Sequence, residues 1–367
     1  MHITRSALAG GMRRMALAAA LLLASALPAA APAPARPNLV LVMSDDQDGN
    51  RQRQDYADYL PRHRFLRDHG TTFINHCADS PQCGPSRAAT LSGRLPHNTG
   101  FLENSDSSGA SIAGWDRLRN STIGAFLTKA GYHTFFAGKW VNGDACNDEP
   151  LAADGSPTWS NWSQLCSTYV LYNSSYHDPA APNNLRVETG VHQSDSLAAQ
   201  AVANMRLAVA QKKPFYLHLT PVAPHESTCY GCGGHDRVAC SERYPASDSN
   251  GGLFGRPCPA IRHRQLFLNL TMPRAPNWNR SSNFPVSFTA FAKPVTQNQS
   301  REIDETWRVR LQALMSVDEM VGTILDAIDS LGIAGSTYFV YTSDNGWHLG
   351  EHRLPIFNKR EPYETDV

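Results

Sequence analysis

Asn38-Leu39-Val40-Leu41-Val42-Met43-Ser44-Asp45-Asp46-Gln47-Asp48 joins an apolar run to a cluster of carboxylates. A short run of this kind, with no polar alternation, reads as a strand buried on both faces, as in parallel sheets. The acidic residues then fall at the strand's C-terminal end. Adjacent carboxylates are costly there unless a cation or solvent balances them. Their hard oxygens suit Ca²⁺ or Mg²⁺. Taken alone, the stretch is equally compatible with a solvated acidic turn.

The pattern of strand followed by polar group recurs along the chain. Tyr132–Ala137 reads as a strand and leads into Gly138-Lys139-Trp140. Pro214–Leu219 is followed by Ala223-Pro224-His225, and Tyr338–Thr342 by Ser343-Asp344-Asn345-Gly346. Helices are expected between these strands: within Asp55–His69 with Pro61 breaking the middle, at Thr122–Ala130, at Ser194–Ala210 capped by Ser194 or Asp195, and at Ile303–Leu331. In the last of these, Leu314, Val317, Val321, Ile324 and Ile328 make one apolar face, read as core. Thr71–Asn75 is expected as a further short strand, and residues 142–192 as a long surface excursion. Alternating strands and helices argue for an α/β fold, a mostly parallel central sheet flanked by helices on both faces. Such sheets bind ligands at the carboxyl edge of their strands.

Between the first two strands lies Cys83-Gly84-Pro85-Ser86-Arg87-Ala88-Ala89-Thr90-Leu91-Ser92-Gly93. It reads as a turn feeding a short helix, with Pro85 in the first turn and Gly93 as the stop. Cys83 then sits at the positive end of the helix, with Arg87 one turn on and facing the same way. That setting favours an anion beside Cys83, either a thiolate, a bound oxyanion or a modified side chain. A buried, inert cysteine is the bland alternative.

Composition bounds the rest. The chain has 367 residues, with 33 basic and 33 acidic side chains. No basic block suggests nucleic acid. Arg13-Arg14, an apolar run from Met15 to Leu27 and Ala29-Ala30-Ala31-Pro32-Ala33 form a secretory signal within residues 1–35, too short to span a bilayer comfortably. No later segment is apolar enough for stable membrane insertion, and residues 36–367 are left for one domain. Asn-x-Ser/Thr sequons at Asn120, Asn161, Asn173, Asn269, Asn279 and Asn298 fit a secreted glycoprotein. Besides Cys83 there are Cys77, Cys146, Cys166, Cys229, Cys232, Cys240 and Cys258, for which disulfides are expected in an oxidising compartment, with one of the seven left unpaired. Zinc is disfavoured at Cys229/Cys232, which lacks a second pair, and at His348/His352, where Gly346 and Gly350 argue against a helix.

The Cys83-x-Pro85-Ser86-Arg87 motif with Leu91-Ser92-Gly93 resembles the sulfatase signature. Asp45-Asp46, Gly138-Lys139-Trp140, Ala223-Pro224-His225, Asp344-Asn345 and Lys359, four residues before Tyr363-Glu364, resemble the family's other motifs. Arg262–Phe267 and Pro273–Asn279 most resemble the branch of N-acetylglucosamine-6-sulfatases and green-algal arylsulfatases. The resemblance implies an alkaline-phosphatase-like fold and a Cys83 oxidised to formylglycine (3-oxoalanine) by a formylglycine-generating enzyme during secretion. It implies Ca²⁺, or alternatively Mg²⁺, held by Asp45, Asp46, Asp344 and Asn345 together with residue 83. One hydroxyl of the hydrated aldehyde would attack sulfur and displace the alcohol, after which the hydrate would expel sulfate. Arg87 would orient the nucleophile. Lys139, His225 and Lys359 would bind the sulfate of a sulfated carbohydrate or aryl sulfate, with His225 or Lys359 protonating the leaving oxygen. The secretory signal leads to the expectation of a secreted location, in the extracellular or periplasmic space or cell wall, with a lysosome-like compartment as an alternative.

Departures are Gly84 at the motif's second position and Val141 where many members carry a histidine. The family's smaller C-terminal antiparallel subdomain is not evident before residue 367, so a truncated chain is expected. Two rival readings stay open: a phosphodiesterase or phosphonate monoester hydrolase of the same superfamily, and an inactive sulfated-glycan binding protein.

Overall fold

The computed structural model describes residues 36–49, 56–104, 118–142, 151–152, 154–179, 181–228, 254–281, 292–354 and 359. The secretory signal, Cys146, Cys229, Cys232, Cys240 and Tyr363-Glu364 lie outside the described residues. The apolar run of the first strand forms β1, Asn38–Ser44. Helices α1 (Pro61–His69), α2 (Cys83–Ser92) and α3 (Ile123–Lys129) follow. Then come β2 (His133–Gly138), β3 (Asn161–Gln164) and the small antiparallel pair β4 (Ser175–His177) and β5 (Leu185–Val187). Helix α4 (Gln193–Ala210), strand β6 (Phe215–Thr220), the long helix α5 (Gln297–Ser330) and strand β7 (Thr337–Ser343) complete the frame.

The central sheet runs β3-β2-β6-β1-β7, and every neighbouring pair is parallel. Side chains alternate across a strand, so β1 supplies both faces. Val40 and Val42 join a core with Leu197, Ala201 and Met205 of α4 and Val317, Met320 and Ile324 of α5. Leu39 and Leu41 face the other way, toward Ala88 and Leu91 of α2 and Ile123 and Leu127 of α3. Each fully buried side chain of this size contributes about 1.5–3 kcal/mol relative to exposure. The two-sided burial explains why β1 has no polar alternation, and it aligns four strand ends along one edge.

Several elements differ from expectation. Pro61 does not break a helix but opens one, at the position where its missing N–H is harmless. Leu60 at the N-cap offers no side-chain acceptor. Asp318 of α5 takes that role, accepting the N–H of Arg62 at 3.0 Å and of His63 at 2.9 Å. Residues 71–75 form no strand, and Phe73 and Ile74 stand in solvent. Residues 142–192 are not merely a surface excursion. They hold β3, whose Trp162 packs with Trp159 against Phe136 of β2 at ring distances of 4.5 and 5.6 Å. Aromatic burial, rather than an aliphatic run, places this strand.

Helix α4 is capped by His192, not by Ser194 or Asp195. The His192 Nδ1 accepts the Ser194 N–H at 3.3 Å, which requires an unprotonated Nδ1. Burial is the main reason that the His192 pKa is pulled down to about 4. Burial likewise lowers His218 of β6 to about 3. An unfolded histidine takes up a proton near pH 6.5, so the unfolded state gains protons that the fold refuses. Stability is therefore expected to fall as pH drops from about 6.5 toward 4, with His192 contributing on the order of 3 kcal/mol. His192→Asn, which keeps a capping oxygen, is expected to flatten part of that slope in a series of chemical denaturation curves. An unchanged slope would refute the assignment.

No helix among the described residues is long and apolar enough to cross a membrane.

Candidate active site

β1 delivers Asp45 and Asp46 to the sheet edge, both fully buried. Consecutive residues of an extended strand point to opposite faces, so two adjacent carboxylates cannot share one site on regular strand geometry. The backbone solves this at Asp46, which has φ 61°. That left-handed conformation costs a non-glycine residue about 1–2 kcal/mol, and Asp is among the side chains that tolerate it. Asp45 bridges Pro224 in parallel, which brings the β1 and β6 ends together and sets His225 beside the aspartates. The His225 Nε2 lies 3.4 Å from Asp46 Oδ2, and its Nδ1 is 2.7 Å from the Glu226 carbonyl.

Cys83 opens α2 with a fully buried free thiol. Its Sγ lies 3.4 Å from Asp45 Oδ1 and 3.0 Å from Lys359 Nζ. The Gly84 N–H, left over at the helix start, donates to Asn104 Oδ1 at 2.8 Å. A Cβ at Gly84 would approach that same oxygen to 3.0 Å, so the departure from the family motif suits the local crowding. Lys139, just past β2, places Nζ 2.6 Å from Asp45 Oδ2. Lys359 also contacts Asp46 Oδ1. β7 ends in Asp344 and Asn345. Asp344 Oδ1 accepts the N–H groups of Asp46 at 3.0 Å and Asn345 at 2.8 Å. The Asn345 Nδ2 donates to Asp46 Oδ1 at 2.7 Å.

Arg87 is engaged by protein groups. Its guanidinium faces Asp344 Oδ2, with Nε at 2.9 Å, and donates to the Lys139 carbonyl at 2.8 Å. Burial, reinforced by Asp45, pushes the Cys83 thiol up to about 12, so the sulfur is neutral at physiological pH. Burial also raises Asp45, but Lys139, then His225 and Arg87, outweigh it and hold that carboxyl at about 2. Asp46 is likewise lowered against its burial, chiefly by His225 and Lys359. Despite burial, Lys139 and Lys359 are raised by their carboxylate partners. His225 is lowered, with burial the largest cause.

The fold thus draws Asp45, Asp46, Cys83, Arg87, Lys139, His225, Asp344, Asn345 and Lys359 to one place, from segments more than 300 residues apart (Asp46 to Lys359 spans 313). Ligand atoms of Asp45, Asp46, Cys83 and His225 lie within 4.8 Å of one another. Two buried oxygens here, Asp46 Oδ2 and Asn345 Oδ1, have no hydrogen bond. A buried oxygen left so is costly unless something else binds it. An oxygen-rich set with two such atoms fits a hard divalent cation. Asp344 fits less directly, since both of its oxygens already accept hydrogen bonds.

Two further residues belong here that sequence patterns passed over. Tyr169 stacks on His225 at 4.5 Å and lies under the Lys139 ammonium at 4.8 Å. Nothing in its sequence surroundings marks it. Arg310 of α5 is buried and reaches the β1 loop, where it donates to the Asp46 carbonyl at 2.5 Å and Asp48 Oδ1 at 3.0 Å. A signal existed for it. Ile303, Trp307, Leu314, Val317, Val321, Ile324 and Ile328 step by threes and fours, and Arg310 occupies the gap in that apolar stripe.

The family profile described as Sulfatase matches residues 37–367. The chain belongs to the sulfatase family. Among similar sulfatases, an arylsulfatase of Volvox carteri is 32% identical over 97% of this chain and 53% of its own length. A human N-acetylglucosamine-6-sulfatase is 28% identical over 90% of this chain and 55% of its own. The chain spans about half the length of the curated relatives it matches. A solved structure in complex with its substrate D-glucosamine-2-N,6-O-disulfate has the same fold, with TM-score 0.58, 20% identity, and coverage of 87% of this chain and 67% of that one.

Proposed function

We propose that this sulfatase-family chain hydrolyses aryl or carbohydrate sulfate esters, with residue 83 in its formylglycine form and a divalent cation, Ca²⁺ or Mg²⁺, at the sheet edge. The observation that carries this is the buried meeting of Cys83 with Asp45, Asp46 and Asn345 between two lysines. As an unmodified thiol, residue 83 would be a poor nucleophile here, so the reading needs its formylglycine form. Asp45, Asp46 and Asn345, with Asp344 beside them, would hold the cation. When bound, the cation polarises a sulfate oxygen and the aldehyde hydrate supplies the attacking hydroxyl.

The chain's own residues would do the rest. Lys139 and Lys359 stay charged beside Asp45 and residue 83, placed to neutralise a bound sulfate. The His225 Nδ1 faces a carbonyl and must carry its hydrogen, so Nε2, beside Asp46, is the nitrogen that would have to take up a second proton before passing it to the leaving oxygen, with the Lys359 ammonium as the other donor. Arg87 fixes Asp344 and the Lys139 backbone. Tyr169 keeps Lys139 and His225 on one wall. The curated relatives, arylsulfatases and N-acetylglucosamine-6-sulfatases, support the substrate class.

Secretion fits the disulfide bonds of Cys166 and Cys258, and it would bring the chain to a formylglycine-generating enzyme. Glycans suit the exposed Asn120, Asn269 and Asn298. Asn161 and Asn279 engage their amide nitrogens with Asn204 and Val295, so these two suit a glycan less well, whereas Asn173 accepts the Gly190 N–H through its oxygen.

The test compares turnover of an aryl sulfate with that of an aryl phosphate diester by secreted protein, alongside a peptide mass across residue 83. The expected result is a marked preference for the sulfate and a loss of about 18 Da from the cysteine form, since conversion replaces CH₂–SH by CHO. A preference for the diester would favour a phosphodiesterase. An unmodified Cys83 with sulfated-glycan binding and no turnover would favour a binding protein.

A further inference from the structure

We infer that Arg310 is the positioning residue that keeps Asp46 turned into the cation site; the inference rests on the function proposed above. Asp46 must leave regular strand geometry for its carboxylate to join that of Asp45, and it does so at φ 61°. A left-handed residue persists only where its surroundings hold both of its peptide groups. The N–H side is held by Asp344 Oδ1 at 3.0 Å. The carbonyl side is held by Arg310, whose NH2 donates to the Asp46 carbonyl at 2.5 Å.

The same guanidinium has two other anchors. Its NH2 meets Asp48 Oδ1 at 3.0 Å, and that oxygen also accepts the Tyr56 hydroxyl at 2.8 Å. Its NH1 donates to the Pro224 carbonyl at 3.3 Å, one residue before His225. A planar fork spreads five N–H donors over three nitrogens and so spans acceptors on two loops, whereas the three donors of an ammonium all radiate from one nitrogen. Arg310 is 1% exposed and projects from the middle of the 34-residue α5, so its base is rigid. It touches neither residue 83 nor any ligand oxygen assigned above, and it acts only through the backbone of Asp46 and of the segment leading to His225.

Groups that orient cation ligands in this way typically change affinity by about 10–100-fold when removed. The experiment is calorimetric titration of Ca²⁺ into chelator-stripped protein. It compares wild type, Asp48→Asn and the double variant Asp48→Asn/Arg310→Met, which removes both buried charges together. Circular dichroism and the unfolding midpoint without Ca²⁺ establish that each is folded. The expected result is at least about tenfold weaker binding in the double variant than in Asp48→Asn. Affinities within about twofold of each other, in folded proteins, overturn the inference and leave the proposed function standing. A wild type that binds no Ca²⁺, and no Mg²⁺ when the titration is repeated with that ion, overturns both. If the double variant does not fold, Arg310→Lys takes its place; the same tenfold loss supports the inference, and wild-type affinity overturns it.

Discussion

Cys83→Ala removes aryl sulfate hydrolysis, by on the order of 10⁵–10⁶ in kcat, the scale seen when a covalent nucleophile is deleted. The expectation rests on position. The side chain at 83 starts α2 with no exposure, 3.4 Å from Asp45 and 3.0 Å from the Lys359 ammonium. Alanine removes only Sγ and leaves a small void, so the fold should lose no more than about 1–3 kcal/mol. Activity and stability thus separate in this variant. The measurement is single-turnover hydrolysis with the unfolding midpoint on the same sample. A folded Cys83→Ala protein with wild-type turnover would end the formylglycine proposal.

Asp344→Ala damages both stability and rate. Its carboxylate accepts four contacts: two N–H groups on Oδ1, from Asp46 and Asn345, and Nε and NH2 of Arg87 on Oδ2. Arg87 is 3% exposed, and Asp344 is its nearest carboxylate, with Asp45 farther off at 3.7 Å. Removing one partner of a buried pair leaves a buried charge, at a cost of about 3–5 kcal/mol. The Asp46 backbone loses its acceptor at the same time, so the first carboxylate pair should loosen. A fall in turnover of about 10³ or more is expected, together with a higher half-saturating Ca²⁺ concentration. Asp344→Asn keeps the shape but not the charge and should fall between the two. Denaturant titration and turnover as a function of added Ca²⁺ check both halves. A stable, fully active Asp344→Ala would show that the β7 end has no part in the site.

The strand ends were legible because each follows a run that can only be buried. Val40 and Val42 fill one face and Leu39 and Leu41 the other, so the polar residues after Met43 had to emerge at an edge. Strand β3 was hidden because Asn161, Ser163 and Gln164 carry no apolar signal, and its place depends on Trp162 meeting Phe136. The partner of Arg87 was also hidden. Helix spacing put it on the side of Cys83, but only the fold brings Asp344, 257 residues on, within reach. Arg310 was passed over because an apolar stripe is found by its apolar members, and the one charged residue on it looks like an interruption. Tyr169 sits in an irregular segment where neither period nor motif applies.

Strand β1 lies inside the sheet, flanked by β6 and β7, with register partners at residues 216–219 and 337–343. On a ribosome it is made long before either neighbour. At 5–20 residues per second, roughly 10–35 s pass before the first partner strand emerges. Through that interval an apolar ribbon with two open hydrogen-bonding edges must be shielded by chaperones or risk pairing with another chain. Assembly of this protein should therefore be slow, late and sensitive to the pace of translation, because both partners of an interior strand lie far along the chain.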